Sequence, residues 1–208
     1  MSLWGRIFAA GYDTFQASME RNFMGAVRAE MLAGARGRVV EIGAGTGINL
    51  GHYPSSVDQL VCTEPEEPMA KRLRRKAAGS DLEVDVVNAP AERLPFDDDA
   101  FDTAVATLVL CTVDDPSRAL REIDRVLKPG GRFVFVEHVR APEPDLAKWQ
   151  DRLHPIWLRF GHGCHCNRPT LDTIEASPLR VESHRRGRIP KAPPIVRPLV
   201  TGVAVSRS

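Results

Sequence analysis

Residues Val39 to Gly47 read VVEIGAGTG: an apolar run broken by a carboxylate, then glycines at positions 43, 45 and 47. This stretch restricts the fold more than any other. The apolar run suits a buried strand, and glycines at that spacing let the following backbone turn tightly and pass close to a bulky ligand. The turn does not fit a dinucleotide. That pattern needs its third glycine at position 48, where this chain has Ile48, and Glu41 at the strand end would repel a pyrophosphate. A cation would be welcome beside Glu41, so a ligand carrying an ammonium or sulfonium group fits where NAD does not.

From Arg38 onward strands and helices alternate. RVVEIG, QLVCTEP (59–65), LEVDVVNAPA, FDTAVATLVL and RFVFVEHV read as strands, and PMAKRLRRKAA as a basic helix. DPSRALREIDRVL reads as a helix capped by Asp115, with Pro116 in its first turn and an apolar face of Leu120, Ile123, Val126 and Leu127. KPGG stops it. Such alternation implies a doubly wound α/β fold, a mainly parallel sheet covered on both faces. Ligands of these sheets bind at the carboxyl ends of the strands. Glu41 to Gly47, Glu64, Ala89 to Glu92, Thr107 and His138 all fall at such ends and should share one rim.

Upstream, Phe15, Met19, Phe23, Val27 and Met31 recur every fourth position, the stripe of an amphipathic helix. GARG (34–37) ends it. This divides the chain into an N-terminal helical lid segment, residues 1–34, and a main domain, residues 35–208. A net charge of +1 gives no reason to expect nucleic acid as a partner. No run reaches the ~20 apolar residues of a membrane span, and no leader pattern is present. Cys62, Cys111, Cys164 and Cys166 do not form a disulfide framework, which suits a reducing cytoplasm.

VVEIGAGTG, followed by CTEP, APAERLPFDDDAFD and REIDRVLKPGGRFVFVEHV, resembles the class I S-adenosylmethionine-dependent methyltransferases. These ordered landmarks cover most of residues 38–139. The resemblance implies a Rossmann-like, seven-stranded sheet. LRVESHRRGR and LVTGVAV would supply its closing hairpin, with the last strand antiparallel. It also implies S-adenosyl-L-methionine as the cofactor. The loop Gly43, Ala44, Gly45, Thr46 and Gly47, with Asn49 after it, would hold the methionine and ribose. Glu41 would face the ammonium through water, and Glu64 would accept both ribose hydroxyls. Pro65 and Met69 would border the adenine, and the backbone of Ala91 and Glu92 would reach its edge. Pro90 stands where many relatives have an aspartate, which removes one side-chain contact to the adenine amine. Thr107 would lie near the transferred methyl.

GINLGHYP, TLVLCTV, FVEHVR and GCHCNR resemble a narrower group that includes the alkyl-thiol methyltransferases and their bacterial relatives. The implied reaction is methyl transfer to a small-molecule acceptor, with a thiol leading. A lipid-like amine, a quinone-type ring carbon, or cofactor binding without turnover are the alternatives. In-line displacement at an activated methyl needs alignment above all. A thiol with a pKa around 8.5 needs little help from a base. His138 is the candidate base or orienting group, and Tyr12 could close over the donor. Cys164 and Arg168 match the group's pattern and would line the acceptor pocket.

GHGCHCNR (161–168) carries four metal-ligand side chains within five residues. They cannot surround one tetrahedral ion, so no metal site is expected. The basic runs KRLRRK and HRRGR read as solvated faces that leave peripheral contact with a lipid surface open. The sequence leaves the oligomeric state open.

Overall fold

A computed structural model describes residues 23–161 and 163–207. Strands β1 (Gly37–Ile42), β2 (Val57–Thr63), β3 (Val84–Val87), β4 (Phe101–Thr107) and β5 (Leu127–His138) run parallel. β6 (Arg180–Arg188) and β7 (Pro198–Val205) close the sheet, with β7 antiparallel to both β5 and β6. The spatial order β3-β2-β1-β4-β5-β7-β6 places the reversal of strand order beside β1, where the glycine loop leaves the sheet. This is the doubly wound, seven-stranded sheet expected, with its last strand antiparallel.

Alternate residues of each central strand enter different cores. Val39, Leu60, Cys62, Val105 and Val134 pack on one face, with Leu32 and with Leu73 of helix α2 (Glu67–Ala77). Val40, Val61, Ala104, Phe133 and Phe135 pack on the other. There they meet Leu120, Ile123 and Val126 of α3 (Pro116–Val126) and Leu171 and Ile174 of α5 (Thr170–Glu175). Burial on both faces explains why the strands read as nearly continuous apolar runs. The α3 cap is as expected: Asp115 accepts from the Arg118 N–H at 2.9 Å, with Pro116 first in the helix.

A third core sits over the carboxyl end of β5. Met24 and Val27 of α1 (Gly25–Leu32 and its cap) meet Cys111, Val136, Cys164, Cys166, Ile195 and Leu199 there. The buried face of α1 is Val27, Arg28 and Leu32, with Met24 before it, while Phe23 and Met31 are half-buried. The face is turned about one position from the expected stripe because Arg28 is drawn inward, donating to Asn49 Oδ1 at 2.7 Å. A hydrophobic pattern does not register a buried arginine. Phe15, Met19 and Tyr12 lie outside the described residues.

Two more differences matter for the site. β4 ends at Thr107 rather than at Leu110, because Leu108 takes a positive φ of 60° and the chain leaves the sheet. Beyond the fifth strand, α4 (Pro144–Phe160) and α5 were not legible in the sequence. No helix among the described residues is long and apolar enough to cross a membrane.

Candidate functional site

The glycine loop is tied to the end of β2. Ala44 N–H donates to the Thr63 carbonyl at 2.9 Å and Gly45 N–H to Glu64 Oε2 at 2.9 Å. Gly43, Gly45 and Gly47 all have positive φ, at 60°, 59° and 79°. Their reasons differ. A Cβ on Gly43 would lie 2.8 Å from Val109, and one on Gly47 2.8 Å from Leu73, so those two glycines permit packing. A Cβ on Gly45 would meet nothing within 4 Å. That open space at a backbone bend is where a bulky ligand can come against the main chain, and it fits S-adenosylmethionine.

Glu64 is buried and accepts the Gly45 and Glu66 N–H groups, one on each oxygen, at 2.9 Å. Burial pushes its carboxyl above the ordinary range. A carboxylate offers about four acceptor positions, so two remain for a pair of hydroxyls. Pro65 follows it and Met69 is buried in the first turns of α2. Ala91 is buried, while the Glu92 side chain turns toward α3, accepting from Asp114 N–H at 3.0 Å.

Glu41 is buried with both oxygens engaged, by Asn49 Nδ2 at 2.8 Å and the Tyr53 hydroxyl at 2.7 Å. Burial pushes its pKa up to about 7, opposed by these hydrogen bonds and by Arg28. Asn49 also donates to Thr107 Oγ1 at 2.6 Å. The expected group Glu41, Asn49 and Thr107 is therefore a connected network, and it joins α1 to β1 and β4 through Arg28.

Sequence reasoning missed Glu137. It is completely buried near the end of β5 and accepts three backbone N–H groups, from Val109 and Leu110 at 2.9 Å and Cys111 at 3.2 Å. It replaces the sheet hydrogen bonds that these residues give up when β4 ends early. Burial pushes it up to about 7 against these donors and the nearby His138. The only signal in the sequence was a glutamate inside the apolar string FVFVEHV.

His138 follows, half-buried, with Nδ1 3.5 Å from Cys164 Sγ and Nε2 buried without a partner among the described residues. Cys164 is pushed down to about 4 by the Cys111 thiol and then by His138, while Cys111 is pushed up by Cys164 and by burial. Cys166 points elsewhere in the same core, and burial pushes it up to about 12. Arg168 does not reach into open space. Its guanidinium donates to the carbonyls of Leu110 at 2.6 Å and Val113 at 2.9 Å, and His165 N–H bonds the Cys111 carbonyl at 2.7 Å. The 161–168 loop thus clasps the chain after β4.

Residues 40–135 match the model of a methyltransferase domain. Human thiol S-methyltransferase TMT1A is 32% identical over 204 residues, 95% of this chain and 82% of that protein. Rat thiol S-methyltransferase TMT1B is 38% identical over 141 residues, 66% of this chain; the match spans 57% of that relative's length. The phosphatidylethanolamine N-methyltransferase of Cereibacter sphaeroides is 33% identical over 155 residues, covering 69% of this chain and 74% of that protein. The solved S-adenosylmethionine-dependent methyltransferase of Thermotoga maritima, 22% identical, superimposes with a TM-score of 0.70 over 98% of this chain and 97% of its own. With the glycine loop, the β2 carboxylate and this sheet order, these matches place the chain in the class I S-adenosylmethionine-dependent methyltransferases.

Proposed function

We propose that the chain transfers the methyl group of S-adenosylmethionine to the sulfur of a small thiol. One observation carries the acceptor class. The two deeply buried carboxylates at the rim, Glu41 and Glu137, are both occupied by hydrogen bonds. What gathers at the ends of β4 and β5 is soft: Leu108, Cys111, His138 and Cys164. An unactivated hydroxyl would need a strong base there, whereas a thiol is already partly ionised near neutral pH. The matches to TMT1A and TMT1B support the same class.

Bound S-adenosylmethionine supplies a methyl carbon already activated by its sulfonium. The chain's own task is alignment, which can supply about 7–11 kcal/mol of a barrier. Glu64 would fix the ribose end and Glu41, through its network, the charge at the methionine end. Thr107 would sit at the methyl, and the thiol proton would leave to solvent or to His138 Nε2.

A second reading, an acceptor drawn from a lipid phase, is favoured by α4. Trp149 and Ile156 stand on it seven residues apart and are 53% and 58% exposed. The Arg152 guanidinium lies 5.6 Å from the Trp149 ring centroid. An exposed Trp beside a basic side chain suits a headgroup interface. The basic strand β6 is a weaker argument, since Arg185 and Arg188 pair with Glu30 and Glu143.

Methyl-labelled S-adenosylmethionine, offered with small thiols and with anionic phospholipid vesicles, separates the readings. The expected label is in a thioether. Label in the lipid fraction would favour the second reading. Cofactor bound with no labelled product from either would indicate binding without turnover.

A further inference from the structure

Cys111, His138 and Cys164 come from three separate places: the loop after β4, the end of β5, and the loop after α4. Their ligand atoms all lie within 4.8 Å of one another. The expectation of no metal site rested on the 161–168 loop by itself, which cannot wrap an ion. Here that loop contributes one ligand and the sheet rim contributes two. We propose that these three side chains bind one zinc ion, leaving its fourth position open.

The geometry has the right scale. Zn–S bonds of about 2.3 Å and Zn–N bonds of about 2.0–2.1 Å put sulfur and nitrogen about 3.5–3.6 Å apart in a tetrahedron. Cys164 Sγ and His138 Nδ1 are 3.5 Å apart. The ligands are also held in place by groups that do not bind metal. Cys111 is fixed by its N–H to Glu137 and its carbonyl to His165 N–H. Arg168 grips the carbonyls on either side of Cys111, and Gly163 at φ 80° sets the turn that delivers Cys164. His138 Nε2 is buried without a partner among the described residues. Two thiolates balance a divalent charge, so the filled site would be neutral in a buried place.

Two sulfurs and one imidazole form a ligand set that leaves zinc a free coordination position for water or substrate. A thiol entering there would release its proton to solvent and be held as the thiolate. In this arrangement His138 is a ligand, and the ion ionises the acceptor. That role of the fourth position rests on the thiol reading above. The zinc site does not.

The test uses the full chain, reduced, stripped with a chelator, and titrated with zinc and separately with cobalt(II). The expected result is one zinc per chain and a cobalt spectrum with thiolate charge-transfer and tetrahedral ligand-field bands. Cys111→Ala and Cys164→Ala should each lose stoichiometric zinc, whereas Cys166→Ala, buried in the same core, should keep it. The wild-type cobalt spectrum reads the ligands directly, so a variant that fails to fold does not decide the matter. Absent stoichiometric zinc, zinc retained by both ligand variants, or a Cys111–Cys164 disulfide that survives reduction would overturn the site. Zinc bound with no thiol methylated would support the site and sink only the thiol reading. Thiol methylation by a chain without zinc affinity would do the reverse.

Discussion

Glu41 and Glu137 are acids raised to about 7 in the folded protein from an ordinary 4.5. Between those values the folded chain holds protons that the unfolded chain has released. Their contribution to stability is complete below about pH 4.5 and is lost as pH rises through about 7. Glu67, Asp102, Glu122 and Asp151 are lowered, chiefly by Arg and Lys partners, and act in the opposite direction at lower pH. Glu67 and Asp151 are exposed and Asp102 and Glu122 partly so, and solvent screening keeps their effect small. Cys164, lowered by Cys111 and His138, opposes the two buried acids over the same range. Urea unfolding of the ligand-free protein should therefore show a midpoint that falls between about pH 5 and pH 7 by less than the two acids alone would give, with no further fall above pH 7. Glu41→Gln should reduce that fall, the remainder coming from Glu137 and from Glu64, which burial also raises. A flat profile in the wild type would refute this account of the two acids. Glu64 makes a different prediction. Its two free acceptor positions would each make a charged hydrogen bond, worth roughly 1.5–3 kcal/mol. Glu64→Ala should thus weaken adenosylhomocysteine binding by about tenfold or more in calorimetry.

Among the elements, the glycine loop separates packing from ligand contact. Gly47→Ala adds a clash with buried Leu73 to the strain of a positive φ and should cost about 2–4 kcal/mol of stability. Gly45→Ala carries the strain alone, about 1–2 kcal/mol, yet should lose more cofactor affinity than its loss of stability suggests. Thermal melts with and without ligand read both effects. The loop, the α3 cap and Glu64 were legible because each is specified by neighbours a few residues away. Glu137 and Gln150 were not. Gln150 is fully buried in α4, donating to the carbonyls of Val139, Cys166 and Ile195 and accepting from Ala141 N–H. Its partners lie up to 45 residues away, so no local pattern marks it. The same distance hid the convergence of Cys111, His138 and Cys164, and the early end of β4, where Glu137 of the next strand takes up the freed N–H groups. Gln150→Ala strands four backbone groups and should lower stability by roughly 3 kcal/mol in urea.

At the scale of the whole molecule, the Arg28–Asn49–Glu41 network and the core around Met24 bind the N-terminal helix to the cofactor end of the sheet. A ligand that holds this end should stabilise the entire fold. Adenosylhomocysteine at a hundred times its Kd adds about 2.7 kcal/mol, which raises Tm by roughly 5–10 °C, and NADH should add nothing. A rise with NADH alone would overturn the cofactor assignment. Glu137 has its own consequence at this scale. One end of the segment it grips, Val109, packs on Gly43 in the glycine loop, and the other end, Cys111, belongs to the cluster with His138 and Cys164. On the function proposed above, the spacing between donor and acceptor would thereby be gauged by main-chain bonds to a single carboxyl group. Residues beyond Val139 would then be free to change for a larger or smaller acceptor while the path of the methyl group kept its length.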